Sequence, residues 1–200
     1  MAEARKNNLA PRPSLPTRLA LTDPLRQPDP FALLASLPKG TGMIWRAYDT
    51  GLTRQHIRAL ERRARAKHIT LLIASTRADT RRLRFSNRHL PEHQLEKTTY
   101  TDKITTAAAH SHRAIIAAAR AGVDAVLISP VFATQSHKGA KPLGVIRFAM
   151  LAHLARTQGL AVYALGGLTN DKKIRRLNGS APISITGIGI AGIGLFHQSN

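Results

Sequence analysis

From Arg18 onward the chain alternates between short apolar runs and longer segments whose apolar residues recur every three to four positions. The runs "RLALTD", "GMIWRAYD", "ITLLIAS", "RLRFSN", "ITTAAAH", "DAVLISPVF", "LAVYALGG" and "ISITGIGI" predict eight strands. Between them, "PDPFALLASL" predicts a helix with Pro in its first turn, and "TRQHIRALERRARA" an amphipathic one. "SHRAIIAAARAG" predicts a helix stopped by Gly122, and "LGVIRFAMLAHLARTQG" a long one ending at Gly159. "TNDKKIRRLNG" opens on Thr169 or Asn170 as N-cap, and "AGIGLF" has room for only a short last helix. Strands apolar throughout fit a sheet buried on both faces. Eight such units predict a single α/β domain, a closed (β/α)8 TIM barrel over residues 18–200, with an open doubly wound sheet as the alternative. Residues 1–17 are polar and Pro-rich, without an apolar period, and predict a disordered tail.

The end of the eighth run, "ITGIGIAGIG", spells G-x-G-x-x-G with Gly187, Gly189 and Gly192. A dinucleotide fingerprint requires a further strand and an acid about 20 residues on, and no acid follows Gly192. In a barrel, glycine-rich turns after strands seven ("ALGGLT") and eight would converge into a phosphate cup of backbone N–H groups. The plainer alternative is that these glycines relieve crowding where the barrel closes.

Charge changes the picture next. Thirty Lys and Arg against eleven Asp and Glu give +19, which points to an anionic partner, a phosphorylated metabolite or nucleic acid. Arg58, Arg62 and Arg65 fall on one helical face; such a face is usually only solvated, and nucleic acid is the less favoured partner. The chain has no cysteine, so disulfides and thiolate metal sites are excluded. No apolar run reaches membrane-spanning length and no signal-peptide pattern opens the chain, so a cytoplasmic location with no membrane partner is expected. Homo-oligomerisation is left open.

The segment "GVDAVLISPVFATQSHKGAKPLG", then "AVYALGGLTND" and the terminal "GIGIAGI", resembles the family of thiamine phosphate synthase and thiazole tautomerase. The likeness is strong from about His110 to Phe196 and continues in order, more weakly, through "LALTD", "MIWRAYD" and "ITLLIASTRADTRRL". It implies a TIM barrel of thiamine biosynthesis. The synthase joins a pyrimidine diphosphate to a thiazole phosphate and expels pyrophosphate, with Mg²⁺ stabilising the leaving group.

On this resemblance, Thr134, Ser136, Gly166, Gly167, Ile190 and Ala191 stand where the family binds thiazole phosphate. On the pyrimidine-diphosphate side, only Arg46 survives from Gln-x-Arg-x-Lys, with Ile44 and Tyr48 as replacements, and Arg77 from Asn-Asp-Arg, where Ser75 and Thr76 replace the first two residues. His137 takes the Lys position of the Thr-x-Thr-Lys loop, and Ala108 that of the strand-five Ser. Thr76 and His89 occupy both magnesium-carboxylate positions, so no metal ligand is assigned and Mg²⁺, expected for the family, lacks its ligands. Asp23, Asp49 and Asp79 lie near strand ends and are the available substitutes, but nothing in the sequence predicts that two of them converge on one ion. The tautomerase branch needs no metal and uses a strand-five-loop His for proton transfer, a role His110 would fill. Three readings follow: a synthase or tautomerase, a non-catalytic phosphate-ligand barrel, and a basic nucleic-acid-binding protein.

Overall fold

The computed structural model describes residues 14–48, 52–76, 78–79, 83, 87–95, 103–134, 141–168, 173–175, 177 and 188–193. Eight parallel strands close into a barrel in sequence order: β1 (Arg18–Leu21), β2 (Gly42–Arg46), β3 (Thr70–Ala74), β4 (Arg88–Leu90), β5 (Thr105–Ala109), β6 (Ala125–Ile128), β7 (Ala161–Leu165) and β8 (Gly189–Gly192). Closure is by β8 on β1, with Leu19 opposite Ala191. The described helices are α1 (Pro30–Ser36), α2 (Arg54–Ala66), α3 (His112–Ala121) and α4 (Gly144–Thr157). No helix among the described residues is long and apolar enough to cross a membrane.

Local sequence accounts for most boundaries. Asp29, Thr53 and Ser111 cap α1, α2 and α3, each side chain accepting a backbone N–H of the first turn. Gly122 ends α3 in the left-handed conformation. Alternate strand residues point inward and outward. Leu19, Leu21, Ile44, Leu72, Leu127 and Tyr163 fill the barrel interior. The outward residues of β2 and β3 pack under α1 and α2, and those of β5 to β7 under α3 and α4 around the fully buried Phe148. Each such large side chain contributes roughly 1.5–3 kcal/mol through burial. Arg58, Arg62 and Arg65 stay on the exposed side of α2.

Two elements differ from expectation. The fourth strand is not the expected "RLRFSN": Leu83 lies in helical backbone, and the strand is the three residues Arg88–Leu90. Asn87 sets its start, donating to the Leu71 carbonyl (3.0 Å) and accepting from the Ile104 N–H (3.0 Å), so its amide bridges the segments before β4 pairs. The eighth strand runs through Ala191 and Gly192, which were expected to open the last helix, because both pair with β1; the rest of that helix lies outside the described residues. So do Thr169, Asn170, Gly179 and Gly187.

Of the expected tail, residues 14–17 are described, and Pro16 is buried beneath the barrel. The Tyr163 hydroxyl donates to the Pro16 carbonyl at 2.5 Å, and the Ile190 N–H to the Thr17 carbonyl at 2.9 Å. Gly189 is part of the same floor. A Cβ on it would fall 2.3 Å from two Tyr163 ring carbons. This glycine of the G-x-G-x-x-G string therefore makes room for a core aromatic.

Candidate active site

The C-terminal strand ends surround a cavity of about 570 Å³, within the usual range of small-molecule sites. Among its described lining residues Arg26, Arg46 and Lys173 are cationic and none carries a carboxylate. The part of the lining that runs round to β8, the neighbour of β1, is built from β6 to β8: Ser129, Thr134, Gly166, Gly167, Ala191 and Gly192.

The β7 turn carries the loop after β6. Val131 and Phe132 donate backbone N–H groups to the Leu165 and Gly166 carbonyls at 2.9 and 3.1 Å. Gly166 and Gly167 have φ of +97° and +70°, conformations that disfavour side chains. A Cβ on Gly167 would come 2.5 Å from the Ala133 carbonyl oxygen. The glycine pair thus lets the 130–134 segment lie directly on the turn, and this brings Thr134 to the cavity wall.

Of the residues expected to hold a thiazole phosphate, Thr134, Gly166, Gly167 and Ala191 line one wall. Ile190 does not join them: its side chain packs against the helical layer, and its N–H is already bonded to Thr17. The alternation of a strand separates the two neighbours. Ser136, Arg77, His137 and Asp49 lie outside the described residues.

His110 follows β5 and borders the same cavity. Its Nδ1 is 2.8 Å from the Ser129 carbonyl oxygen and 3.2 Å from the Ser129 hydroxyl. A carbonyl only accepts, so Nδ1 must carry the proton; in the neutral ring Nε2 then presents its lone pair. The His110 N–H is held by a Glu92 carboxylate oxygen at 3.1 Å. Ser129, Arg26 and Lys173 were not singled out from sequence. The only sequence hint for Ser129 is its place at the end of the sixth apolar run.

The other side of the mouth is a set of engaged polar groups. Asp23, after β1, accepts the Leu25 and Arg26 backbone N–H groups on Oδ1, each at 3.1 Å. Its Oδ2 meets the Arg26 guanidinium at 3.2 Å and that of Arg46 at 3.9 Å. Burial opposes ionisation of Asp23, but the Arg26 side-chain and backbone hydrogen bonds outweigh it and hold the carboxyl below its usual range. Arg46 is itself placed by its N–H bond to the Thr22 hydroxyl, 2.8 Å.

His89 is buried, with Nδ1 2.9 Å from the Thr106 hydroxyl across the β4–β5 register. Burial, helped by the Arg46 charge, pushes its pKa down to about 4, so the ring is neutral at physiological pH. Burial likewise raises the Tyr48 phenol above its ordinary value, against the pull of Arg46. Asp79 accepts from the Ser75 and Thr76 hydroxyls at 3.3 and 2.8 Å, and its N–H returns to Thr76 at 3.1 Å.

The family model for thiamine monophosphate synthase matches residues 34–181. The chain belongs to this family. The Aquifex aeolicus protein named "Putative thiamine-phosphate synthase 2" is 31% identical over 195 residues, which span 92% of this chain and 99% of that one. Among solved structures, the thiamine phosphate pyrophosphorylase from Pyrococcus furiosus superposes with a TM-score of 0.68 at 16% identity, covering 92% of this chain and 88% of the other. An aldolase/citrate lyase family protein from Burkholderia cenocepacia superposes with a TM-score of 0.58 at 10% identity over 90% and 88%. At these identities the superpositions speak for the barrel alone.

The residues that the resemblance puts at the magnesium positions do not fit such an ion. Mg²⁺ requires hard oxygen ligands, usually carboxylates. The Thr76 hydroxyl is committed to Asp79, His89 is a neutral imidazole locked on Thr106, and the Arg46 guanidinium stands close enough to His89 to depress its pKa. Among the described residues no three His, Cys, Asp or Glu converge as a metal site.

Proposed function

We propose that this family member of thiamine biosynthesis binds a thiazole phosphate against the β6–β8 wall and acts on it by metal-independent proton transfer, the tautomerase chemistry of the family. The phosphate would lie on the turn of Gly166 and Gly167, near Thr134 and Lys173, where backbone approach is close and the field is positive. The observation that carries the reading is the His110–Ser129 contact: it fixes the tautomer that exposes Nε2 as a base on the cavity wall. His110 would take a proton from one position of the bound ring system and return it at another, so the reaction is an isomerisation and needs no oxidant or metal.

The coupling of pyrimidine diphosphate to thiazole phosphate is the second reading, and Arg46 at the cavity is what favours it. Two assays separate them. Incubation of a non-aromatic thiazole phosphate tautomer in D2O with EDTA, followed by proton NMR, is expected to show deuterium incorporation and isomer conversion that depend on His110. Thiamine phosphate formation from both substrates with Mg²⁺, at a rate indifferent to His110→Ala, would overturn the proposal. Binding of thiazole phosphate without either reaction would identify a ligand-binding barrel instead.

A further inference from the structure

The cations of α2 and its C-terminal end divide into two sets. One set holds the helix to α1. The Arg63 guanidinium lies 4.8 Å from the centroid of the Phe31 ring, and Lys67 donates to the Leu34 and Ala35 carbonyls at 3.3 and 2.6 Å. With Ile57, Leu60 and Ala64 buried beneath it, α2 is a fixed platform. The other set, Arg54, Arg58, Arg62 and Arg65, is exposed. Spaced four, four and three positions apart, these arginines form one row down the outer side of the helix, with a step of about 6 Å for four residues. Arg54, Gln55, Arg58 and Arg62 line a shallow open groove of about 380 Å³. None of the row lines the cavity at the barrel mouth. Glu61, the one acid in the helix, borders the row on the Arg65 side, so four arginines stand against one carboxylate.

Like charges four residues apart repel, so the row does not stabilise the helix that carries it; a ligand with repeated negative charges relieves that repulsion. The step is close to the separation of successive phosphates along a nucleic-acid strand. Among the described residues, the groove lining includes no aromatic ring on which a base could stack and no apolar side chain that could anchor a protein partner. The large apolar side chains of α2, Ile57 and Leu60, are buried in the barrel layer, so this face has nothing to insert into a bilayer. We infer that the outer face of α2 is a docking surface for the phosphate backbone of a nucleic-acid strand, held by Arg54, Arg58, Arg62 and Arg65 without reading base sequence. It shares no residue with the cavity and does not rest on the thiazole phosphate reading.

Fluorescence anisotropy of the full chain with a labelled oligouridylate and an oligothymidylate of equal length, repeated across a salt series, tests this. Both strands should bind alike. The logarithm of the binding constant should fall against the logarithm of salt with a slope of about −2 to −3, as for three or four phosphate contacts on a single strand. Arg58→Gln combined with Arg62→Gln should weaken binding about tenfold or more at low salt and make the slope shallower by about 1.4, with Tm close to wild type because both side chains are exposed. Arg58→Lys combined with Arg62→Lys should keep the slope, since a phosphate contact requires the charge. Arg113→Gln combined with Arg120→Gln, two exposed positions on α3, removes the same net charge and should change affinity and slope far less. Absence of salt-sensitive binding, equal losses from the α2 and α3 pairs, or binding to phosphatidylglycerol vesicles but to neither oligonucleotide overturns the inference. The His110 proton-transfer assay decides the cavity reading separately.

Discussion

Ser129 meets His110 through two atoms: its carbonyl oxygen lies 2.8 Å from the imidazole Nδ1 and its hydroxyl 3.2 Å from the same nitrogen. The carbonyl fixes the tautomer and the hydroxyl is auxiliary. His110→Ala is therefore expected to lower proton-transfer turnover by about 10²-fold or more, with thiazole phosphate affinity and Tm close to wild type because the ring is exposed. Ser129→Ala keeps the carbonyl and should cost only a few-fold. NMR exchange rates and a thermal melt check both variants.

The phosphate wall has its own test. Gly167→Ala places a Cβ 2.5 Å from the Ala133 carbonyl oxygen at a φ of +70°. Either the turn or the 130–134 segment must move, and Thr134 moves with it. Affinity for thiazole phosphate should fall about tenfold or more, measured by calorimetry, whereas Thr134→Val should weaken binding by the smaller amount expected for one neutral hydrogen bond, about five-fold.

Gly189→Ala should behave differently. Its Cβ meets the Tyr163 ring at 2.3 Å on the barrel floor, remote in register from the mouth. Overpacking of this kind typically costs about 1–3 kcal/mol, so Tm should drop by several degrees with ligand affinity unchanged in the folded fraction. A selective loss of phosphate binding with an unaltered Tm would return this glycine to the ligand site.

Acid should unfold the protein partly through His89. Its pKa is 6.5 when unperturbed and about 4 in the fold. Between these values the unfolded chain binds more protons, so stability rises with pH across the window and is lost as pH falls from 6.5 towards 4. The contribution is at most of order 3 kcal/mol. Chemical denaturation at pH 7 and pH 4.5 should show a smaller loss for His89→Gln than for wild type.

How much of this was legible follows from which residues carry periodic signals. The alternation of apolar runs and amphipathic segments yields the barrel because every inward and outward strand residue is constrained. β4 escapes, since three residues, "RHL", are too few to display a period and the preceding Leu83 and Phe85 imitate one. Thr134 and the Gly166–Gly167 pair were readable through family motifs. Ile190 does not line the cavity, and a motif match does not say which face of a strand a residue occupies. Arg26 and Ser129 carry no motif, and their importance arises only when separate loops meet at the mouth. Whether a glycine serves a ligand or a neighbour also depends on a contact distant in sequence, as Tyr163 shows for Gly189.

The floor has a consequence for traffic. Pro16 and Thr17 are stitched to Tyr163 and Ile190 below, so among the described residues the floor end of the barrel is covered and the cavity lies at the other end. A ligand of this cavity comes and goes at the end that Arg26 and Lys173 line. Anything that lodges in that mouth would therefore close the cavity to the next ligand as well.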